Sequence, residues 1–231
     1  MKVLVFDIWG DYAHYRKFYT TSSPLTFSCP TPTAVYGMLG AILGTKGYKH
    51  LEIFNYSTTK LGIQILKPIT KVRMSTNYVL AKEINDLWYL KDRTPIQVEY
   101  LKNPSFRLFI HINNNEIFTN LINKIQNKLL YYTVSLGTAN LIANYKYIGV
   151  FKAEHINHTD TIKTIIPLEN IENIKAVSGK KYFKETLPVD MSTDRQVKLY
   201  KEILMELNGA ALEGEFKECY KLDNGDIISF I

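Results

Sequence analysis

His14 stands among Tyr12, Tyr15, Arg16 and Lys17, where side chains able to move protons and to hold phosphate occur side by side. A metal-independent ribonuclease needs a base for the 2′-hydroxyl and an acid for the departing 5′-oxygen. Histidine with tyrosine or lysine nearby supplies both. The same groups can instead grip phosphate and stack on bases without breaking a bond, and binding is the reading adopted here. The remaining histidines are His50, His111, His155 and His158. His111 shares an alternating run with Arg107 and Phe109 and reads as part of an exposed sheet face. His155 and His158 read as loop residues.

Other chemistries find no support in the spacing. Cys29 and Cys219 lie far apart, outside any CxxC or Cys/His pattern, and the carboxylates form no ligand cluster, so neither a metal nor another cofactor is expected. The glycine-rich stretch from Gly37 to Gly47 is not a phosphate loop, because Gly44 is followed by Thr45-Lys46-Gly47 rather than by Lys and Ser or Thr. Dinucleotide, zinc-protease, serine-hydrolase and kinase signatures are absent. We expect no catalytic residue.

Basic and aromatic residues are interleaved instead. Arg107, Phe109 and His111 would share a sheet face with Lys67, Lys71 and Arg73 nearby, a combination that suits RNA by charge and stacking. A helix covering that face, with charges reaching its rim, would give the same pattern. The formal charge of +6 and the 16 tyrosines and 11 phenylalanines lean toward a polyanionic partner.

The elements that must position these residues are legible in part. Lys2 to Trp9 reads as a buried first strand, followed by a polar and aromatic loop from Gly10 to Pro30. Thr31 to Gly44 reads as a helix, with Thr31 as N-cap, Pro32 in the first turn and small residues letting it lie close to a sheet. Lys60 to Met74 reads as strand broken at Pro68. Ser75 to Pro104 reads as an excursion, a hairpin arm. Phe106 to Ile112 is a strand. Glu116 to Tyr131 is an amphipathic helix with Ile117, Leu121, Ile125 and Leu129 in its stripe. A loop around Ser135-Leu136-Gly137 leads to a strand from Leu141 to Phe151.

This βαββαβ order predicts an α+β, ferredoxin-like domain over residues 1–152, with an arm at about 75–104. A smaller β-rich part over 153–231 carries short strands and a helix near Asp194 to Leu207. With 231 residues, 46% of them hydrophobic and 22% charged, the chain can bury one substantial core and is not of disordered composition. The longest apolar run, Ala34 to Leu43, is about half a membrane span, so we expect a cytoplasmic protein with no membrane contact.

The stretch Asp7 to Gly44, DIWGDYAHYRKFYTTSSPLTFSCPTPTAVYGMLGAILG, resembles the N-terminal signature of the CRISPR-associated family-five RAMP proteins. Further matches follow at Arg93 to Arg107 (RTPIQVEYLKNPSFR), Val134 to Gly149 (VSLGTANLIANYKYIG) and Leu187 to Tyr200 (LPVDMSTDRQVKLY). The resemblance spans nearly the whole chain and is nearest to type I-B members. It implies a non-catalytic Cascade subunit that holds the 5′ handle of the guide RNA and caps the RAMP backbone. Its partners would be the guide, the backbone RAMP subunit and the large subunit, with target DNA met only through the assembled complex. It implies RNA contacts from Tyr12, His14, Arg16 and Lys17, from Thr33 and Tyr36 at the first helix, from Lys71, Arg73 and Arg107 by charge, and from Gly137 in the loop before the last core strand. Trp88, Tyr89 and Leu90 on the arm would anchor a partner subunit. Type I-C relatives cut the precursor transcript with a Tyr, Lys and His set. Here His111 follows Ile110 rather than Lys, which argues for holding rather than cutting.

Overall fold

Val3, Leu4, Val5, Phe6 and Ile8 are all buried, so β1 (Lys2–Trp9) is apolar on both faces and has to lie inside a sheet. The computed structural model describes residues 1–20, 22–79 and 93–231. After β1 come β2 (Tyr12–Ala13), α1 (Pro32–Leu43), α2 (His50–Ile53), β3 (Thr59–Ile65), β4 (Lys71–Val79), β5 (Arg93–Lys102), β6 (Ser105–Ile112), α3 (Asn115–Gln126) and β7 (Asn144–Ile156). The last third holds β8 (Thr159–Ile162), β9 (Ile166–Pro167), β10 (Ile171–Ile174), β11 (Tyr182–Met191), β12 (Val197–Glu206), β13 (Leu212–Phe216), β14 (Cys219–Leu222) and β15 (Ile227–Ser229).

The main sheet runs β15-β14-β7-β1-β6-β3, with α1 following β1 and α3 following β6. Leu4, Phe6 and Ile8 face the helices, packing with Val35, Leu39 and Ile42 of α1 and Phe118, Leu121 and Ile125 of α3. Val3, Val5 and Phe109 face the other way and pack under Ala153, Leu222, Ile228 and Phe230. The sheet nearly closes on itself. Ile165 N–H donates to Ile63 O and Ile231 N–H to Leu61 O on the β3 edge, while Lys163 N–H reaches Ile227 O on the β15 edge. The last residues of the chain therefore extend the first sheet and cover its second face.

That cover corrects the reading of Arg107, Phe109 and His111 as an open RNA face. Phe109 is fully buried. Arg107 forms a two-pronged ion pair with Asp7, its cross-strand neighbour, at 2.7 and 3.0 Å. His111 Nδ1 lies 2.8 Å from Lys2 O. Uncovering the face would re-expose Val3, Val5 and Phe109 at about 1.5–3 kcal/mol each, more than one stacked base returns (about 1–3 kcal/mol).

α1 begins as its sequence dictates: the Thr31 hydroxyl accepts from Ala34 N–H and Pro32 sits in the first turn. It ends at Gly44, in the left-handed region with φ 83°. Its small residues serve a different neighbour from the expected sheet. A Cβ at Gly40 would lie 2.5 Å from His50 Cβ, so glycine there lets α2 cross close by. α3 stops at Gln126, short of the expected Tyr131, because Lys128 adopts a left-handed φ of 58° and Leu129 N–H folds back to Lys124 O. Leu129 is consequently exposed.

Within the stretch expected to form an arm, β4 and β5 pair antiparallel from Lys71↔Leu101 to Val79↔Arg93. Trp88, Tyr89 and Leu90 lie outside the described residues. The helix expected near Asp194 to Leu207 is instead strand β12, paired with β11. Its burial has a period of two, with Val197, Leu199, Lys201, Ile203 and Met205 turned inward. Among the described residues no helix is long and apolar enough to cross a membrane.

Candidate nucleic-acid interface

The loop from Gly10 to Pro30 is held at both ends and folded against itself. Lys17 N–H donates to Leu25 O and Phe27 N–H to Tyr15 O, while the Thr26 hydroxyl accepts from Tyr15 N–H. Side chains then alternate, with Tyr15 buried, Arg16 exposed, Lys17 turned inward and Phe18 exposed. Lys17 meets Glu185 of β11 at 2.5 Å, and Glu185 also accepts from Ser28 N–H. Burial alone would lower the Lys17 pKa, but the hydrogen bond and charge of Glu185 outweigh it and hold Lys17 above the ordinary lysine value.

Three segments converge on His14. Its Nδ1 lies 2.7 Å from Glu99 O at the root of the arm, and its ring packs beside Tyr100. Its backbone N–H donates to Leu136 O. A carbonyl partner makes Nδ1 the donor and leaves Nε2 as an acceptor. Burial lowers the His14 pKa, against the opposing hydrogen bond to Glu99, so the ring is neutral at neutral pH. Gly137 sits over this residue with φ 99°, and a Cβ there would lie 1.9 Å from His14 O. Gly137→Ala is expected to destabilise the chain by about 1–3 kcal/mol and to displace His14, visible as a lowered Tm with loss of the His14–Glu99 hydrogen bond by NMR.

A cleft of about 1000 Å³ opens beside this junction. His14, Arg16, Phe18, Thr33, Tyr48, His50, Gly137 and Arg195 are among the residues lining it, and among the described residues no Asp or Glu does. In a chain with 22 acidic residues, a concave surface carrying two arginines and, among the described residues, no carboxylate attracts anions. Among the described residues, no three His, Cys, Asp or Glu side chains group closely enough to hold a metal ion.

Of the residues expected to meet RNA, the cleft thus collects His14, Arg16, Thr33 and Gly137. The others are engaged elsewhere. Tyr12 pairs with Lys102 at the arm's root and lies edge-on to Tyr100. Tyr36 is 2% exposed and packs in the core, where burial raises its hydroxyl pKa. Lys17 and Arg107 are held by Glu185 and Asp7. Lys71 donates to Thr26 O and lies 3.4 Å from Glu99, tying the arm to the first loop. Arg73 is exposed on the arm.

Residues 3–205 match the family model of the CRISPR-associated protein Cas5. The chain belongs to the CRISPR-associated Cas5 family. A crystal structure of a CRISPR protein from Archaeoglobus fulgidus shares the fold with a TM-score of 0.61 at 15% identity, over 99% of this chain and 98% of that one. A chain of a CRISPR RNA-guided surveillance complex gives 0.54 at 12% identity, over 92% and 91%. A crystal structure of a Cas protein gives 0.52 at 12% identity, over 90% and 95%. No curated protein matches the sequence.

Phe18, Tyr48, His50 and Arg195 of this Cas5-family chain line the cleft without a signal in the sequence that marks them for it. Tyr48 and His50 follow α1 in a short basic segment, and the return of that segment over α1 is invisible until Gly40 is seen to admit His50. Arg195 falls within LPVDMSTDRQVKLY, and reading this stretch as a helix hid the β11–β12 turn that brings it to the cleft.

Proposed function

We propose that this Cas5-family chain is a non-catalytic RNA-holding subunit of a type I CRISPR surveillance complex, and that the cleft beside His14 receives the 5′ handle of the guide. The observation that carries this reading is the convergence of Arg16, Arg195, His14 and His50 with Phe18 and Tyr48 on one concave surface. Charge on that surface holds a backbone, and the aromatic rings hold splayed bases. The strand order β7-β1-β6-β3 with two helices on one face supports a ferredoxin-like RAMP core, and the signature motifs favour the type I-B members. The β4–β5 arm, with Arg73 exposed along it, suits contact with the backbone subunit. The large subunit would complete the partners, target DNA would be met only through the assembly, and the setting would be the cytoplasm.

One observation favours a second reading. A neutral His14 with Nε2 free to accept is also the form a general base takes. The two separate in one assay, using the purified chain and a labelled precursor RNA carrying two CRISPR repeats, with and without divalent metal. Retention without cleavage, lost when the handle sequence is changed, is the expected result. Metal-independent cutting at the repeat, abolished by His14→Ala, would make the chain the guide-processing ribonuclease.

A further inference from the structure

Three exposed aromatic residues stand at the outer edge of the cleft. Phe18 is 58% exposed, Tyr19 61% and Tyr200 40%. Their rings are in contact, with Phe18 5.1 Å from Tyr19 at right angles and 5.2 Å from Tyr200 at 47°. Isolated exposed aromatics need no explanation, but a contacting cluster assembled from two distant chain segments does. Phe18 itself lines the cleft, together with Arg195 and Tyr48, whose guanidinium and ring lie 5.6 Å apart.

The cluster is built to stay in place. Lys17, immediately before Phe18, is turned inward onto Glu185, and Thr20 closes the turn with its hydroxyl donating to Lys17 O. Arg16 donates to Thr20 O across the same turn. Tyr200 comes from the outward face of β12, whose partner β11 carries Glu185. The ion pair therefore ties the segment that carries Phe18 to the β11–β12 pair that carries Tyr200.

We propose that Phe18 and Tyr200, with Tyr19 at their side, form a stacking site for an unpaired nucleobase at the mouth of the cleft. The proposal rests on the RNA-holding reading of the cleft and adds a defined base subsite to it. A backbone running past Arg16 and Arg195 would place its phosphates at the cations and turn a base out onto Phe18. Stacking accepts any base, because every base has a π-face, so the site would add affinity without sequence preference. A docking surface for an apolar protein segment is the rival use of the same rings. The two arginines in the adjoining cleft, which no carboxylate lines among the described residues, favour a polyanion.

The test compares two probes on the full chain: an adenosine RNA of about twelve nucleotides and a ribose-phosphate strand of the same length without bases. The wild type should prefer the base-bearing strand by about tenfold or more, as one stacked base is expected to give. Phe18→Ala with Tyr200→Ala should lower that ratio by about tenfold, with affinity for the base-bearing strand falling far more than affinity for the abasic strand. Phe18→Trp, which keeps a stacking surface, should retain the preference. A double variant that keeps the full preference would overturn the subsite and leave the cleft's RNA role intact, the rings then being a protein contact. A wild type that binds neither strand would overturn the RNA-holding reading itself, and the subsite with it.

Discussion

Reversing both cleft arginines, by Arg16→Glu with Arg195→Glu, is expected to weaken binding of single-stranded RNA by about 100-fold or more at low salt. A hydrogen bond to a charged group contributes roughly 1.5–3 kcal/mol, and about 1.4 kcal/mol is a factor of ten. Two lost contacts reach that scale before repulsion is added. The salt dependence carries a second signature. Each phosphate held on a single strand contributes about 0.7 to the slope of log K against log salt, so the variant should be flatter by roughly 1.4. Both side chains are exposed, and surface substitutions of this kind seldom alter stability much, so the circular dichroism spectrum and Tm should stay near the wild type. Unchanged affinity with an unchanged slope would mean that phosphates run elsewhere, with the arm around Arg73 the next place to look.

The second large effect is on stability. Glu185→Ala removes the partner of Lys17 and the acceptor of Ser28 N–H at one stroke. The Glu185 side chain is 5% exposed and that of Lys17 12%. Breaking one side of a buried pair costs about 3–5 kcal/mol, because the remaining charge stays desolvated. For a chain of this length that corresponds to a fall in Tm on the order of 10 °C. Lys17 is held above its ordinary pKa, so the pair contributes fully at neutral pH and is lost as the pH rises through the raised value. Proteolysis within the Gly10–Pro30 loop should speed up in the variant, because the loop's tie to β11 is gone. A Tm within a degree or two of the wild type would show that the pair does not anchor the loop.

How much of this was legible in the sequence depends on the range of the physics involved. Local signals read true: the Thr31-Pro32 start and Gly44 stop of α1, the alternation of β6 and the break at Pro68 are set by residues next to one another. What failed was decided by distant partners. Arg107, Phe109 and His111 alternate as an exposed face would, and only the return of residues 219–231 across the sheet turns that face into core. Lys17 and Tyr36 belong to the signature motif, yet one is claimed by Glu185 and the other by the helix packing. The β12 stretch contains both spacings of apolar residues, and its pairing with β11 settles the choice for strand. The family resemblance implies a loop glycine of an RNA site at Gly137, and the structure adds a nearer reason for glycine there, its close approach to the His14 carbonyl.

The most direct test of the account is to photocrosslink a guide RNA, labelled within its 5′ handle, to the assembled complex and to map the crosslinked peptides by mass spectrometry. The account predicts crosslinks to the segments around Arg16–Phe18, Tyr48–His50 and Arg195, the three that meet at the cleft. Crosslinks confined to the far face of the sheet, around His155, Lys221 and Phe230, would contradict it.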